Sequence, residues 1–139
     1  MNKNEVFAIG LMSGTSLDGI DLVYIKFLKN NDTFFEILHA ETVGYSIEWK
    51  QLLQNAIYFS SEELLNLDTK YGKHLATVLN NFIYNYKIKV IDFIASHGHT
   101  VLHQPEKGIT LQIGSGQEIA KITQQKVVCD FRTQDVKLG

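Results

Sequence analysis

A chain of 139 residues is long enough for one domain with a proper core. With 45% apolar and 20% charged residues it is an ordinary globular chain, which excludes disorder. A net charge of −2 gives no electrostatic reason to expect nucleic acid or an anionic membrane surface as partner.

The start, with Lys3 followed by Val6 to Met12, faintly imitates a signal peptide. Its apolar part is short, Gly10 breaks it and no small-x-small site follows, so it reads as a buried first strand, Glu5 to Ile9. Ile20 to Phe27 reads as a second strand and Thr33 to Val43 as a third, with polar Lys29 to Asp32 turning between them. Three strands on short turns make an antiparallel meander. Ser46 is a candidate N-cap for a short helix to Ala56. Ser60 and Glu63 have capping-box spacing. A long amphipathic helix should follow, because Leu64, Tyr71, Leu75, Val78, Leu79, Phe82, Ile83 and Tyr86 form one apolar stripe. The stripe reads as core, with a partner-binding helix as the lesser reading.

Val90 to Ala95 is almost continuously apolar, the look of a strand in a parallel sheet covered on both faces. Ile109 to Ile113 is a candidate short strand. Ser115 and Glu118 again have capping-box spacing, so Glu118 to Gln124 should be helical. Val127 to Cys129 reads as a last strand. The order implies an α/β domain: a mixed sheet with an N-terminal antiparallel three-strand meander and flanking helices. No apolar run approaches a membrane span. The single cysteine, Cys129, can form no internal disulfide, which fits a reducing compartment.

The stretch Gly10 to Asp21 packs three glycines, Ser13, Thr15, Ser16, Asp18 and Asp21 between two strands. Glycine lets backbone approach a ligand closely. Free backbone N–H groups in such a turn form an anion-binding concavity. The two carboxylates suit a phosphate site only if a metal ion lies between. The pattern is neither a Walker loop nor a dinucleotide fingerprint. A tight hairpin with solvated polar residues explains it equally well.

Ligands in such sheets gather beyond the carboxyl ends of the strands. Ser96-His97-Gly98 and Asp130-Phe131-Arg132 both lie at such ends. The Arg132 fork suits a sugar carboxylate or phosphate; a surface ion pair with Asp135 or Glu118 is the bland alternative. His97, His99 and His103 have spacing seen in some metal sites, but no carboxylate or thiol joins them locally. A metal-dependent hydrolase built on them is therefore the weakest reading.

Three stretches carry a resemblance: Met12 to Asp21, Ser96 to Pro105, and Thr110 to Gly114 continuing to Val127 to Arg132 with Asp135. Together they resemble the anhydro-N-acetylmuramic acid kinases, a family of the sugar kinase, Hsp70 and actin superfamily. The resemblance implies a single domain over residues 1–139, the N-terminal lobe of a two-lobed kinase. It implies that Gly14, Thr15, Ser16, Leu17, Asp18, Gly19, Ile20 and Asp21 hold the ATP phosphates. Asp18 and Asp21 become candidates to associate with Mg²⁺. Ser96, His97, Gly98, Thr100, Asp130, Arg132 and Asp135 become the substrate side.

The implied reaction uses ATP and water to open the 1,6-anhydro ring and phosphorylate O6, in recycling of cell-wall peptidoglycan. The implied partners are the amino sugar and ATP, in the cytoplasm, with a homodimer as one expectation for the full-length family member. Neither nucleic acid nor membrane is an expected partner. The family's general base is expected beyond Gly139, so Asp130 is not assigned that role, and the chain alone is expected not to turn over. A non-catalytic phosphate- or amino-sugar-binding module is the alternative. The family usually has glutamine where this chain has His99. If His99 faced the sugar, binding would depend on pH near neutrality.

Overall fold

The computed structural model describes residues 4–13, 18–28, 31–102 and 110–129. Strands β1 (Glu5–Ser13), β2 (Gly19–Leu28) and β3 (Asn31–Gly44) form the expected antiparallel meander. Helices α1 (Ile47–Asn55) and α2 (Ser61–Asn85) follow, joined by a 3₁₀ turn. After them come β4 (Phe93–Ser96), β5 (His99–Leu102), β6 (Thr110–Ile113), α3 (Gly116–Thr123) and β7 (Val127–Cys129).

The main sheet has the order β3-β2-β1-β4-β7. β4 runs parallel to both β1 and β7. This mixed sheet with helices is the expected α/β arrangement, consistent with one half of the fold that the resemblance implies. β5 and β6 form a separate antiparallel pair.

Local chemistry explains the helix starts. The Ser46 hydroxyl accepts from the Trp49 amide at 3.2 Å. Ser60 and Glu63 exchange a full capping box at 3.1 and 2.9 Å. Ser115 accepts from the Glu118 amide. α3 ends at Gln124, whose φ of 58° is a left-handed cap.

One face of the sheet meets the helices. Ile9, Leu11, Ile20, Leu22, Tyr24 and Ile94 share a core with Leu53 of α1, Leu64 to Phe82 of α2, and Ile119 of α3. The α2 stripe is thus core, and Leu67, Gly72 and Ala76 are buried with it. The lead into β4 is tied to β1: Asp92 N–H donates to the Phe7 carbonyl, and Phe7 N–H donates to the Asp92 carboxylate, both at 2.7 Å.

Two expectations need correction. β4 is parallel, but it is not covered on both faces. Ile94 and Ser96 are buried while Phe93 and Ala95 are only half-buried. The buried residues of the helices cluster with the first face alone. Second, the Gly10 to Asp21 stretch is not one open turn. β1 stays paired to Ser13 and β2 begins at Gly19, with Met12 opposite Asp21 and Ser13 opposite Ile20. Gly10 sits within the ladder opposite Val23, whose methyl would be 3.2 Å from an added Cβ.

The second face bears Val23, Ile25, Phe27, Phe93 and Ala95, and it continues onto edge strand β3. There Phe35 is 61% and Ile37 is 56% exposed. An apolar edge strand is a template for association. Replacing Phe35 and Ile37 together by Lys is expected to lower light scattering of concentrated samples. The unfolding free energy from urea titration should stay within about 0.5 kcal/mol of the parent, as surface changes do.

No helix among the described residues is long and apolar enough to cross a membrane.

Candidate functional site

β1, β4 and β7 are mutually parallel through β4, so their carboxyl ends share one edge of the sheet. That is where ligands gather in open α/β sheets. Leu11 pairs with Ser96, and Ser96 pairs with Cys129. The His97 N–H donates to the Leu11 carbonyl at 3.0 Å, holding the exit of β4 beside β1. Segments separated by more than eighty residues therefore leave the sheet side by side.

Of the phosphate-side residues, Gly14, Thr15, Ser16 and Leu17 lie outside the described residues. Asp18 and Asp21 are exposed. Asp21 Oδ1 accepts from the Thr42 hydroxyl at 2.6 Å. Ile20 is fully buried, so its side chain is core and only its backbone is free to take a ligand role. Gly19 is opposite Gly44, and a Cβ on it would strike the Val43 carbonyl. Close approach of β3 to β2 is thus sufficient reason for glycine there.

On the substrate side, Asp130, Arg132 and Asp135 lie outside the described residues. Gly98 and Thr100 do come together with Gln112, and Ser96 ends β4 two residues before Gly98. Gly98 has φ +62°, and a Cβ there would strike the Ile113 carbonyl. The Gln112 side-chain N–H₂ donates to the Thr100 hydroxyl at 2.8 Å. Ser96 Oγ and Gln112 Oε1 are buried and make no hydrogen bond among the described residues. Buried polar atoms nearly always have partners, so each of these two is an exception. The His97 ring is exposed.

His99 points inward. It is 5% exposed, and its Nδ1 lies 3.0 Å from Ser13 Oγ. Ser13 Oγ also meets the Tyr45 hydroxyl at 2.5 Å, which meets the Tyr71 hydroxyl at 2.5 Å. The Tyr71 ring stands edge-on to the His99 ring at 6.3 Å. Tyr45 reaches this point because β3 ends opposite Gly19, beside the end of β1. The metal reading of the histidines loses His99 to this cluster, and His103 lies outside the described residues. Among the described residues no group of three or more His, Cys, Asp or Glu is placed to hold a metal ion.

Burial pushes the His99 pKa down, and the same cause lowers that of half-buried His74. The folded state therefore binds fewer protons than the unfolded chain below its ordinary value near about 6.5. The stability these residues contribute is complete above that value and is lost as pH falls toward their folded pKa values. Urea midpoints should be flat from pH 8 to 7 and fall on going to pH 5. His99→Asn should reduce that fall. A His99 facing inward as neutral imidazole also removes the reason for pH-dependent sugar binding near neutrality.

Sequence reasoning placed Ser13 among the hairpin donors and Tyr71 in the apolar stripe, but passed over Tyr45 and the role of Gln112. A tyrosine within a buried stripe was the available signal, since its hydroxyl must find a partner.

The model of the family described as anhydro-N-acetylmuramic acid kinase matches residues 6–139. A protein of Shewanella oneidensis named anhydro-N-acetylmuramic acid kinase is 39% identical over 98% of this chain and 38% of its own length. Proteins of the same name from Legionella pneumophila and Rhizobium etli are 36% and 34% identical over 94% and 95% of this chain. They are covered over 36% and 38% of their own lengths. The chain thus spans less than two fifths of the relatives it matches. With the family model matching residues 6–139 and these relatives covered over nearly the whole of this chain, the chain belongs to the anhydro-N-acetylmuramic acid kinase family.

Proposed function

We propose that this chain supplies the phosphate-holding and sugar-facing lobe of an ATP-dependent kinase for 1,6-anhydro-N-acetylmuramic acid. The observation that carries the reading is the parallel pairing of β1 with β4. It sets Leu11 beside Ser96, and Ser13 Oγ lies 3.0 Å from His99 Nδ1, so the end of β1 neighbours the Ser96 to Thr100 segment, as transfer between a nucleotide and a sugar requires.

In the proposed reaction water adds at C1 of the sugar and the C1–O6 bond breaks. O6 takes the γ-phosphoryl group of ATP, and ADP leaves with N-acetylmuramic acid 6-phosphate as the other product. The water proton passes to a general base that none of these residues is assigned to be. The chain's part is binding and orientation, the main protein contributions to phosphoryl transfer. Residues Gly14 to Asp21 hold the ATP phosphates. The exposed Asp18 and Asp21 offer the oxygen donors that Mg²⁺ takes, with one Asp21 oxygen already engaged by Thr42. Bound Mg²⁺ supplies charge neutralisation on the transferred group.

Ser96, His97, Gly98, Thr100, Asp130, Arg132 and Asp135 form the sugar side. The unpartnered Ser96 Oγ and Gln112 Oε1 support a hydrogen-bonding ligand there, since leaving buried polar atoms unpaired is costly. Residence in the cytoplasm, where ATP is available, and a place in peptidoglycan recycling belong to the same reading.

The test is an amide-resolved titration of the chain. A non-hydrolysable ATP analogue with Mg²⁺ should shift Ser13 and Asp18 to Asp21, and Asp18→Asn with Asp21→Asn should remove the Mg²⁺-dependent part. 1,6-Anhydro-N-acetylmuramic acid should shift Ser96 to Thr100 and Gln112. Sugar binding with no nucleotide response would favour the binding module. No response to either, from a folded chain, would contradict the reading.

A further inference from the structure

We propose that the second face of the sheet is an interface for the rest of the family's polypeptide: an apolar helix, from the part of the relatives that lies outside the match, packs there along β1. The sheet and the family membership are sufficient grounds, whichever residues hold ATP or sugar.

β4 runs parallel to both β1 and β7. Parallel strands are found almost only where both faces of the sheet are covered, because the crossovers between them pack on the faces. Here the buried residues of the helices cluster with the first face. The second face is left without a layer among the described residues, although its side chains suit one.

That face is apolar from strand to strand. On the central strand, Ala8 lies between Ile25 of β2 and Phe93 of β4, and Gly10 lies between Val23 and Ala95. Small residues flanked by larger ones make a trough along β1. Toward the amino end of β1 the Phe27 and Phe93 rings meet edge-on at 6.5 Å and close the trough. Toward the carboxyl end Met12 is 50% exposed. Exposed apolar surface of this continuity marks an interaction site. Gly10 does not have the left-handed backbone that would call for glycine, and among the described residues an added Cβ would press on a Val23 methyl alone. Glycine inside a strand often marks the close approach of another backbone.

The occupant follows from length. The Shewanella oneidensis relative is matched over 38% of its length, so more than three fifths of it lies outside the match. A segment of the same polypeptide meets the face at high effective concentration, an advantage that a second copy of the chain lacks. A helix with an apolar stripe must bury it against another layer, and a trough along a strand of an α/β sheet is such a layer. The apolar stretch ends at Asp21 and Thr42, which are hydrogen-bonded to each other. The interface therefore stops where the candidate site begins.

Oxidation of side chains by hydroxyl radicals, read residue by residue by mass spectrometry without ligands, is the test. This chain is compared with a chimera that joins these residues to the remainder of the Shewanella oneidensis relative. Phe27 and Phe93 should be oxidised in the chain and should fall in the chimera to the level of buried Phe82. Exposed Tyr58 and Tyr84, on the helical side, should react alike in both. Equal oxidation of Phe27 and Phe93 in chain and chimera would overturn the proposal. So would protection that is lost when the chimera is diluted to a monomer, since a second copy would then be the occupant. Should the chimera fail to fold, the chain and the remainder are produced together as two polypeptides with a tag on the chain. Recovery of the remainder with the chain, with Phe27 and Phe93 protected, is then the expected result. No recovery, or recovery without protection, would overturn the proposal. A protected chimera that neither binds the ATP analogue nor forms a sugar phosphate would sink the proposed function and leave this interface standing.

Discussion

Gly98→Ala is expected to destabilise the chain by about 2–5 kcal/mol and to abolish the sugar response of the Ser96 to Thr100 segment. Two costs add at this position. A φ of +62° places an L-residue in the left-handed region, which costs about 1–2 kcal/mol for a side chain. The added Cβ would also strike the Ile113 carbonyl, a backbone atom that cannot rotate away. Relief requires β5 and β6 to separate, and overpacking of that kind costs about 1–3 kcal/mol. The pair carries Thr100 and Gln112, so separation dismantles the polar corner directly. Gly44→Ala is the control. Among the described residues its Cβ would meet only the Asp18 carbonyl at 3.9 Å, and its effect should stay within about 0.5 kcal/mol. Urea unfolding of both variants checks this. Equal stability of the two would show that the Gly98 backbone is not held as described.

Tyr71→Ala should cost about 3–5 kcal/mol, the range for removing a large buried ring. Tyr71 is fully buried in the middle of α2, with the Trp49 ring at 5.4 Å on one side and the His99 ring edge-on at 6.3 Å on another. Its loss leaves a cavity between α1, α2 and β5. Tyr71→Phe keeps the ring and removes one hydroxyl, so it should cost only about 0.5–1.5 kcal/mol. The ratio between the two variants separates packing from hydrogen bonding. Burial holds the Tyr71 pKa far above the ordinary tyrosine range, so neither value should change between pH 7 and 9 for reasons of Tyr71 ionisation. Equilibrium unfolding of both variants at those two pH values is the check.

Much of the fold was legible because it is written in local chemistry. Ser46, Ser60 and Ser115 announced three helices, and each hydroxyl caps as its spacing implied. The α2 stripe announced its buried face, and the meander followed from three strands on short turns. β5 was not legible. It has four residues, and its run begins with a histidine and a threonine, so neither length nor alternation marks it. The extent of the hairpin pairing was also missed, because glycine and aspartate read as turn chemistry even where the ladder continues. The Ser13–Tyr45–Tyr71–His99 cluster joins residues 32 and 86 positions apart. Only the sheet order β2-β1-β4 brings them together, and no periodicity within one segment encodes that. Ser96 and Gly98 were singled out at the carboxyl end of a strand and Thr100 through resemblance; Gln112 comes beside Thr100 only because β6 pairs with β5.

The most direct measurement is turnover by a chimera. The corresponding N-terminal segment of the Shewanella oneidensis relative, which this chain matches over 98% of its length, is replaced by these residues. ³¹P resonance then follows 1,6-anhydro-N-acetylmuramic acid, ATP and Mg²⁺. Formation of N-acetylmuramic acid 6-phosphate, lost when Asp18 and Asp21 are replaced by Asn, is the predicted result. A folded chimera that binds nucleotide yet forms no sugar phosphate would contradict the assignment of this chain as the phosphate- and sugar-holding lobe of the kinase.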